Sequence, residues 1–229
     1  MRFQIAAGLA AIASANSTPI YGKYPGWTEG SDRLGIQLEL FEDYLCGDCK
    51  AFNPVFEEVL ATKWLDGTVK DQIEAAYTPI ALPYHVHAYQ VHQLVPYFMD
   101  LCDAGTACLS NEYKDFSFAN RDDILAMTNV GIDDFEAWWA KTVAEEFSLP
   151  EADVTAVYHP SDPDPTHLAV ATLWKYATGK GVNTTPTVFV NGVKLDSVPL
   201  TVEDWMTLLN QVYDSQYGVV SAVEHYVQN

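Results

Sequence analysis

The sequence predicts an α/β fold in which a strand runs directly into a helix that carries two cysteines. Residues 36–60 have the pattern of an apolar strand, a Cys-Gly-Asp-Cys junction and an amphipathic helix. Residues 72–82 form a second apolar strand, which would close a β-α-β unit with a parallel crossover. Residues 187–195 have the pattern of a hairpin with an Asn-Gly turn. These three segments predict a mixed sheet with helices packed on it.

Cys46 and Cys49 lie at the strand-to-helix junction, where their spacing puts the two sulfurs about one helical turn apart. The helix N-terminus brings unpaired N–H groups and the positive end of the dipole to Cys46. This favours the thiolate, which is the attacking species in disulfide exchange. Cys49 lies inside the helix and is better placed to resolve a mixed disulfide. A Cys-x-x-Cys pair alone is also typical of a structural disulfide or of half a zinc site.

Thr185 and Pro186 stand immediately before the predicted hairpin. Together with the Cys-Gly-Asp-Cys junction, they resemble the DsbA-like thioredoxin-fold thiol-disulfide oxidoreductases, and the resemblance covers most of residues 34–214. It implies an α/β, thioredoxin-like fold with an inserted helical domain, a cis Pro186 facing the dithiol, and a substrate site at Thr185 and Pro186. The expected segments are a signal peptide (1–15), a first thioredoxin-like half (16–82), a helical insertion (83–178), a second half (179–214) and a tail (215–229).

The remaining elements follow from periodicity and capping signals. Residues 17–33 predict an extended lead-in with one short strand, and residues 83–102 predict a helix that Pro96 kinks or splits. Two further helices are expected at residues 132–147 and 166–178. The Thr201-x-x-Asp204 capping box predicts a last helix that ends near Tyr213.

Arg2, an apolar run at residues 3–11 and an Ala-Ser-Ala site at 13–15 predict a secretory signal peptide. The apolar run is too short for an anchor, and we expect no membrane insertion. The formal net charge of −19 makes nucleic acid and anionic membrane surfaces poor partners. We therefore expect an exported protein, either secreted or in the secretory-pathway lumen, or periplasmic if bacterial. Expected partners are protein thiols and disulfides, with an unidentified redox partner and no cofactor.

Several residues are expected to tune the dithiol. Asp48 would repel a thiolate at Cys46 by roughly 1 kcal/mol and make the pair a milder oxidant. It also suits the first turn of a helix as a favourable acid. His85 or His87 would approach Cys46 and stabilise the thiolate or shuttle protons. The alternative for either histidine is a solvent-exposed position at a helix start.

The family often buries an acid six residues before its first cysteine, where it accepts the proton of the resolving thiol. That position is Leu40 in this chain. Glu39 has the wrong strand parity, so Glu42 or Asp43 would have to substitute. This departure puts efficient turnover in question.

Cys102 and Cys108 enclose five residues and predict a structural disulfide, with an electron relay to the dithiol as the alternative. No metal site is expected, although Cys46, Cys49 and a histidine could bind zinc. The sequence thus favours a thiol-disulfide oxidoreductase. It leaves two other functions open: a redox-inactive or metal-holding binding module, and a glutathione-dependent transferase or isomerase.

Overall fold

The computed structural model describes residues 24–159 and 165–218. The expected signal peptide lies outside the described residues. The strands are β1 (Trp27–Gly30), β2 (Gln37–Glu42), β3 (Lys63–Trp64), β4 (Gly67–Thr68), β5 (Glu74–Pro79), β6 (Thr187–Val190) and β7 (Val193–Lys194). The helices are α1 (Gly47–Ala61), α2 (Ala88–Gln93), α3 (Val95–Asp103), α4 (Ser110–Ala119), α5 (Arg121–Ala126), α6 (Ile132–Phe147), α7 (Glu151–Ala156), α8 (Pro165–Gly179) and α9 (Val202–Tyr217).

The main sheet has the strand order β1-β5-β2-β6-β7. β2 is parallel to β5, with Leu38 opposite Ala75, and antiparallel to β6. The predicted β-α-β unit and the hairpin are therefore confirmed. In the hairpin turn, Asn191 and Gly192 have φ values of 48° and 79°, which is the left-handed conformation that a type I′ turn requires at both positions.

The two faces of β2 pack into different hydrophobic clusters. Leu38 and Leu40 pack with residues of α1 and α9, whereas Phe41 packs with α8 and Phe189. Because side chains alternate along a strand, Glu42 shares the face of Leu40 and points to the side where α1 lies. The strand therefore delivers an acid to the helix that carries both cysteines.

The helical region has a core of its own, which also contains Cys46 and Cys49. The predicted helix at 83–102 is split as expected, since α2 ends at Gln93 and α3 begins at Val95 with Pro96 in its first turn. α6 has the predicted bounds. Helices α4, α5 and α7 were not predicted. In α4 the buried side chains include the polar Lys114 and Ser117, so the segment lacks the clear apolar period that identifies a helix.

The short strands β3 and β4, which pair with each other, were not predicted either, and the remaining differences concern element ends. β2 and β5 are shorter than the apolar runs that predicted them, because those runs continue into buried turns. The capping box is confirmed, with the Asp204 N–H donating to Thr201 Oγ1 at 3.1 Å. α9 continues past Tyr213 to Tyr217, whose hydroxyl donates to the Leu34 carbonyl at 2.8 Å and ties down the last turn. No helix in the described part of the chain has the length and apolar character needed to cross a membrane.

Candidate active site

Cys46 is the N-cap residue of α1, and both it and Cys49 are free thiols. Two hydrogen bonds from the turn before the helix hold this position: the Cys46 N–H donates to the Asp43 carbonyl at 2.9 Å, and the Leu45 N–H donates to Asp43 Oδ1 at 2.8 Å. Cys46 is 7% exposed, whereas Cys49 is 0% exposed. Both cysteines are buried, and Cys46 is the less deeply buried of the two.

The two thiols differ strongly in acidity. The pKa of Cys46 is lowered to about 5, and its largest cause is a hydrogen bond from the Cys49 side chain. Thr185 and the backbone N–H groups of Cys49 and Asp48 also lower this pKa, and together these contributions outweigh the opposing effect of burial. Burial, followed by the same hydrogen bond, raises the pKa of Cys49 well above its usual value. At neutral pH, Cys46 is a thiolate and Cys49 is a thiol. This gives the pair a nucleophile and a protonated second thiol.

The Thr185–Pro186 peptide bond is cis and lies beside Cys46. In the thiol form, Cys46 Sγ donates to the Thr185 carbonyl oxygen at 3.4 Å. The Thr185 hydroxyl is buried and has no hydrogen-bond partner of normal geometry among the described residues. Its contribution lowers the pKa of Cys46, and it opposes the larger effects that raise the pKa of Cys49. The structure thus brings together the two segments that the sequence singled out, the dithiol and the residues before the hairpin.

A groove of about 610 Å³ runs from the dithiol helix to the segment after β7. Its floor and walls are mostly apolar, and Leu200 at its rim is 75% exposed. The lining residues are Asp48, Ala51, Phe52, Val55, Thr185, Pro186, Ser197, Val198, Pro199 and Leu200. Thr185, whose carbonyl oxygen lies 3.4 Å from Cys46 Sγ, is part of this lining.

Of the three acids considered from the sequence, Glu42 is the one that interacts electrostatically with both cysteines. It is 3% exposed, and its Oε1 has no hydrogen-bond partner among the described residues. Burial raises the pKa of Glu42 to about 7, against the opposing attraction of Lys114. The Glu42 charge in turn raises the pKa of Cys49. Lys114 is itself buried, and its Nζ donates to Glu57 Oε1 at 2.9 Å.

The other two acids have different partners. Glu39 lies on the opposite face of β2, where it pairs with Lys180 and accepts from the Tyr176 hydroxyl at 2.7 Å. Asp43 is fully buried and accepts from the Leu82 N–H at 2.8 Å and from His85 Nδ1 at 2.8 Å. Glu39 thus joins the sheet to α8, and Asp43 holds the turn that precedes Cys46.

The histidines of the 85–92 segment bond to groups other than Cys46. His85 binds Asp43, and His87 Nε2 lies 3.1 Å from the Met127 carbonyl, with its ring stacked on Phe135. His92 Nε2 accepts from the Tyr44 N–H at 3.3 Å, and burial lowers the pKa of His92 to about 4. His85 therefore acts on the dithiol turn through Asp43 rather than by contact with the sulfur.

Asp48 lies exposed at the rim of the groove. The contribution of Asp48 that lowers the Cys46 pKa comes from its backbone N–H, as expected for the first turn of a helix. A repulsion between its carboxylate and the Cys46 thiolate stays a prediction.

Cys102 and Cys108 are joined in a disulfide that links the end of α3 to the segment before α4. It lines a second cleft, of about 750 Å³, together with residues of β1, and this cleft shares no lining residue with the groove at Pro186. Among the residues described, no cluster of three or more His, Cys, Asp or Glu side chains is arranged to hold a metal ion.

Sequence reasoning missed two cations of the site, Lys114 and Arg121. Lys114 belongs to α4 and Arg121 to α5, two helices that the sequence did not predict. Arg121 Nε donates to the Leu45 carbonyl at 2.7 Å, one residue before Cys46. A basic residue in a polar segment far along the chain gives no sign of such a contact.

Comparison with known proteins identifies the fold. The chain is similar to the structures of DsbA from Chlamydia trachomatis (TM-score 0.60, 13% identity, 88% of this chain and 97% of that one) and α-DsbA1 from Wolbachia pipientis (0.59, 14%, 84% and 92%). It is also similar to MdbA from Actinomyces oris, a thiol-disulfide oxidoreductase (0.55, 19%, 75% and 77%). No protein-family model and no curated protein matches the sequence. The chain has the DsbA-like thioredoxin fold with a helical insertion.

Proposed function

We propose that this chain, which has the fold of the DsbA-like proteins, is a thiol-disulfide oxidoreductase that acts on protein substrates. The observation that carries the proposal is the asymmetry of the dithiol. Cys46 is the less buried cysteine, sits at a helix N-terminus and has a pKa lowered to about 5, while Cys49 is fully buried with a raised pKa. A purely structural pair needs no such difference, whereas an attacking and a resolving thiol do.

In the oxidising direction, a substrate thiolate attacks Cys46 Sγ of the Cys46–Cys49 disulfide. The sulfur–sulfur bond breaks, Cys49 leaves with the electron pair and takes up a proton, and a mixed disulfide forms at Cys46. A second substrate thiolate then attacks the substrate sulfur of that bond and releases Cys46 as a stable thiolate. The substrate loses two electrons and the enzyme dithiol gains them. The low pKa of Cys46 favours this direction because it makes Cys46 a good leaving group.

Glu42 supplies the proton chemistry of Cys49 in this proposal. With a pKa raised to about 7 by burial, it exchanges protons readily near neutral pH. It donates to the Cys49 thiolate when the enzyme is reduced and accepts from the Cys49 thiol when a mixed disulfide is resolved. Glu42 thus takes the role of the acid that the family often has at the position of Leu40.

The substrate is an unfolded or extended segment around a cysteine. Its main chain would lie along Thr185, and apolar residues flanking its cysteine would occupy the groove between Val55 and Leu200. Main-chain recognition and an apolar groove select for unfolded chains rather than for one sequence. Together with the signal peptide that the sequence predicts, this selectivity supports a role in disulfide formation on exported proteins.

Trapping of mixed disulfides tests the proposal. Cys49→Ser removes the resolving thiol, so complexes with substrate should accumulate through Cys46 and be visible on non-reducing gels. Cys46→Ser is the matched control and should trap almost nothing, because Cys49 is buried. Equal trapping by both variants would contradict the assigned roles. Trapping by neither would favour a redox-inactive binding module, and a measurable glutathione affinity at the groove would favour the transferase alternative.

A further inference from the structure

The dithiol helix is joined to the inserted helices α4 and α5 by a row of polar contacts. Lys50, Asn53 and Glu57 follow one another at three and four residues and so lie along one side of α1, and Leu45 lies just before the helix begins. Four contacts make up the row: Arg121 Nε to the Leu45 carbonyl at 2.7 Å, Lys50 Nζ to Asp122 Oδ2 at 3.5 Å, Asn53 Nδ2 to Asp115 Oδ1 at 2.7 Å, and Lys114 Nζ to Glu57 Oε1 at 2.9 Å.

The Arg121 contact differs from the other three because it reaches the backbone beside the reactive sulfur. The Leu45 carbonyl belongs to the peptide group whose N–H is that of Cys46. The guanidinium group also covers the next residue, since a Cβ built on Gly47 would lie 3.4 Å from Arg121 Nη2. Nη1 is bonded to Asp122 Oδ1 at 2.9 Å, and the side chain is only 22% exposed, so the group is held in place.

We propose that Arg121 is a positioning residue for Cys46, acting by holding the Leu45–Cys46 peptide group from the side of the helical insertion. The Asp43 carbonyl accepts from the N–H of the same peptide group at 2.9 Å, so the group is fixed at both its N–H and its C=O. This keeps Cys46 Sγ within reach of the Cys49 thiol and of Thr185. It also puts a cation at the Leu45 carbonyl, one residue before Cys46, and makes the inserted domain part of the reactive site.

The consequence for disulfide exchange rests on the proposed function, but the positioning itself does not. It is measured as the Cys46 pKa of the reduced protein, from ultraviolet thiolate absorbance and without any substrate. Arg121→Ala should raise this pKa by about half a unit to one unit, as expected for loss of the cation bonded to the Leu45 carbonyl and of the fixed peptide group. Arg121→Lys keeps the charge without the planar fork and should give a smaller rise.

Asn53→Ala is the matched control, because it removes a contact of the same row farther from the sulfur. It should lower thermal stability while leaving the Cys46 pKa unchanged. An unchanged pKa in Arg121→Ala, or an equal rise in Asn53→Ala, would overturn the positioning role. If Arg121→Ala does not fold, Arg121→Lys decides, since an unchanged pKa there would leave only a charge effect and refute the role of the fork. Absence of substrate trapping with a shifted pKa would instead refute only the proposed function.

Discussion

The hydrogen bond from the Cys49 thiol to the Cys46 sulfur is the largest cause of the low Cys46 pKa, and it can be removed with little other change. Cys49→Ala deletes the donor, while Cys49→Ser replaces S–H by O–H and retains one. A hydrogen bond to a charged group contributes about 1.5–3 kcal/mol, which is about one to two pKa units. The Cys46 pKa should therefore rise from about 5 to roughly 6–7 in Cys49→Ala. It should rise clearly less in Cys49→Ser.

The assay is a pH titration of thiolate absorbance on each reduced variant, with Cys102 and Cys108 remaining in their disulfide. Cys46 is then the free cysteine that titrates, so the curve has a single assignment. Alkylation by iodoacetamide as a function of pH gives an independent measurement of the same pKa. A value that stays near 5 in Cys49→Ala would show that the Cys49 donor does not stabilise the thiolate. The helix N-terminus and Thr185 would then have to account for the shift.

Three further predictions concern Asp48, Glu42 and the groove. Asp48→His should lower the Cys46 pKa by roughly one unit or more and make the pair more oxidising, with Asp48→Asn giving about half of that change; an unmoved reduction potential would show that the carboxylate does not act on the sulfur. Because the Glu42 pKa is raised from 4.5 to about 7, its ionisation costs folding stability as the pH rises through that interval. Glu42→Gln should remove this loss of stability, which is at most about 3 kcal/mol at pH 8 in urea denaturation. It should also abolish the inflection near pH 7 in the rate of mixed-disulfide resolution, and an unchanged pH–rate profile would refute the proton role of Glu42. Leu200→Asp should slow oxidation of an apolar cysteine peptide by about tenfold without moving the Cys46 pKa, whereas Val193→Asp, another exposed apolar position outside the groove, should have no effect; equal losses would place the peptide elsewhere.

The sequence was informative wherever a local pattern determines a local geometry. Cys46 and Cys49 follow a strand and begin a helix, Asn191-Gly192 forms the hairpin turn, Pro96 divides a helix, and Thr201 caps the last one. Each of these depends on backbone preferences that a few neighbouring residues express. The likeness to the DsbA-like proteins then related the dithiol to Thr185 and Pro186, which no local pattern could have done.

The residues that were missed depend on contacts between distant segments. Lys114 is buried in a helix whose inward face is partly polar, and its position is understandable only once Glu42 and Glu57 lie beside it. The expectation that His85 or His87 would approach Cys46 followed from their place after β5. Asp43 and the Met127 carbonyl are the partners that they meet instead. Sequence position brought these histidines to the right end of the sheet but could not determine which groups they would bond.

The helical insertion contributes charge as well as cover to the dithiol. Burial alone raises the pKa of a thiol, and here it acts on both cysteines. The two thiols differ in pKa because the helix N-terminus and the Cys49 donor stabilise the thiolate of Cys46. The charge of the buried Glu42 disfavours ionisation of Cys49. Lys114 moderates that acid, since without a cation its pKa would rise further and it would carry no charge at neutral pH. The helical insertion supplies Lys114 to Glu42 and Arg121 to the turn at Cys46. The pKa values of Glu42 and Cys46 therefore depend on how the insertion packs against α1. A change in that packing, on binding substrate or a redox partner, would alter the reactivity of the dithiol without touching either sulfur.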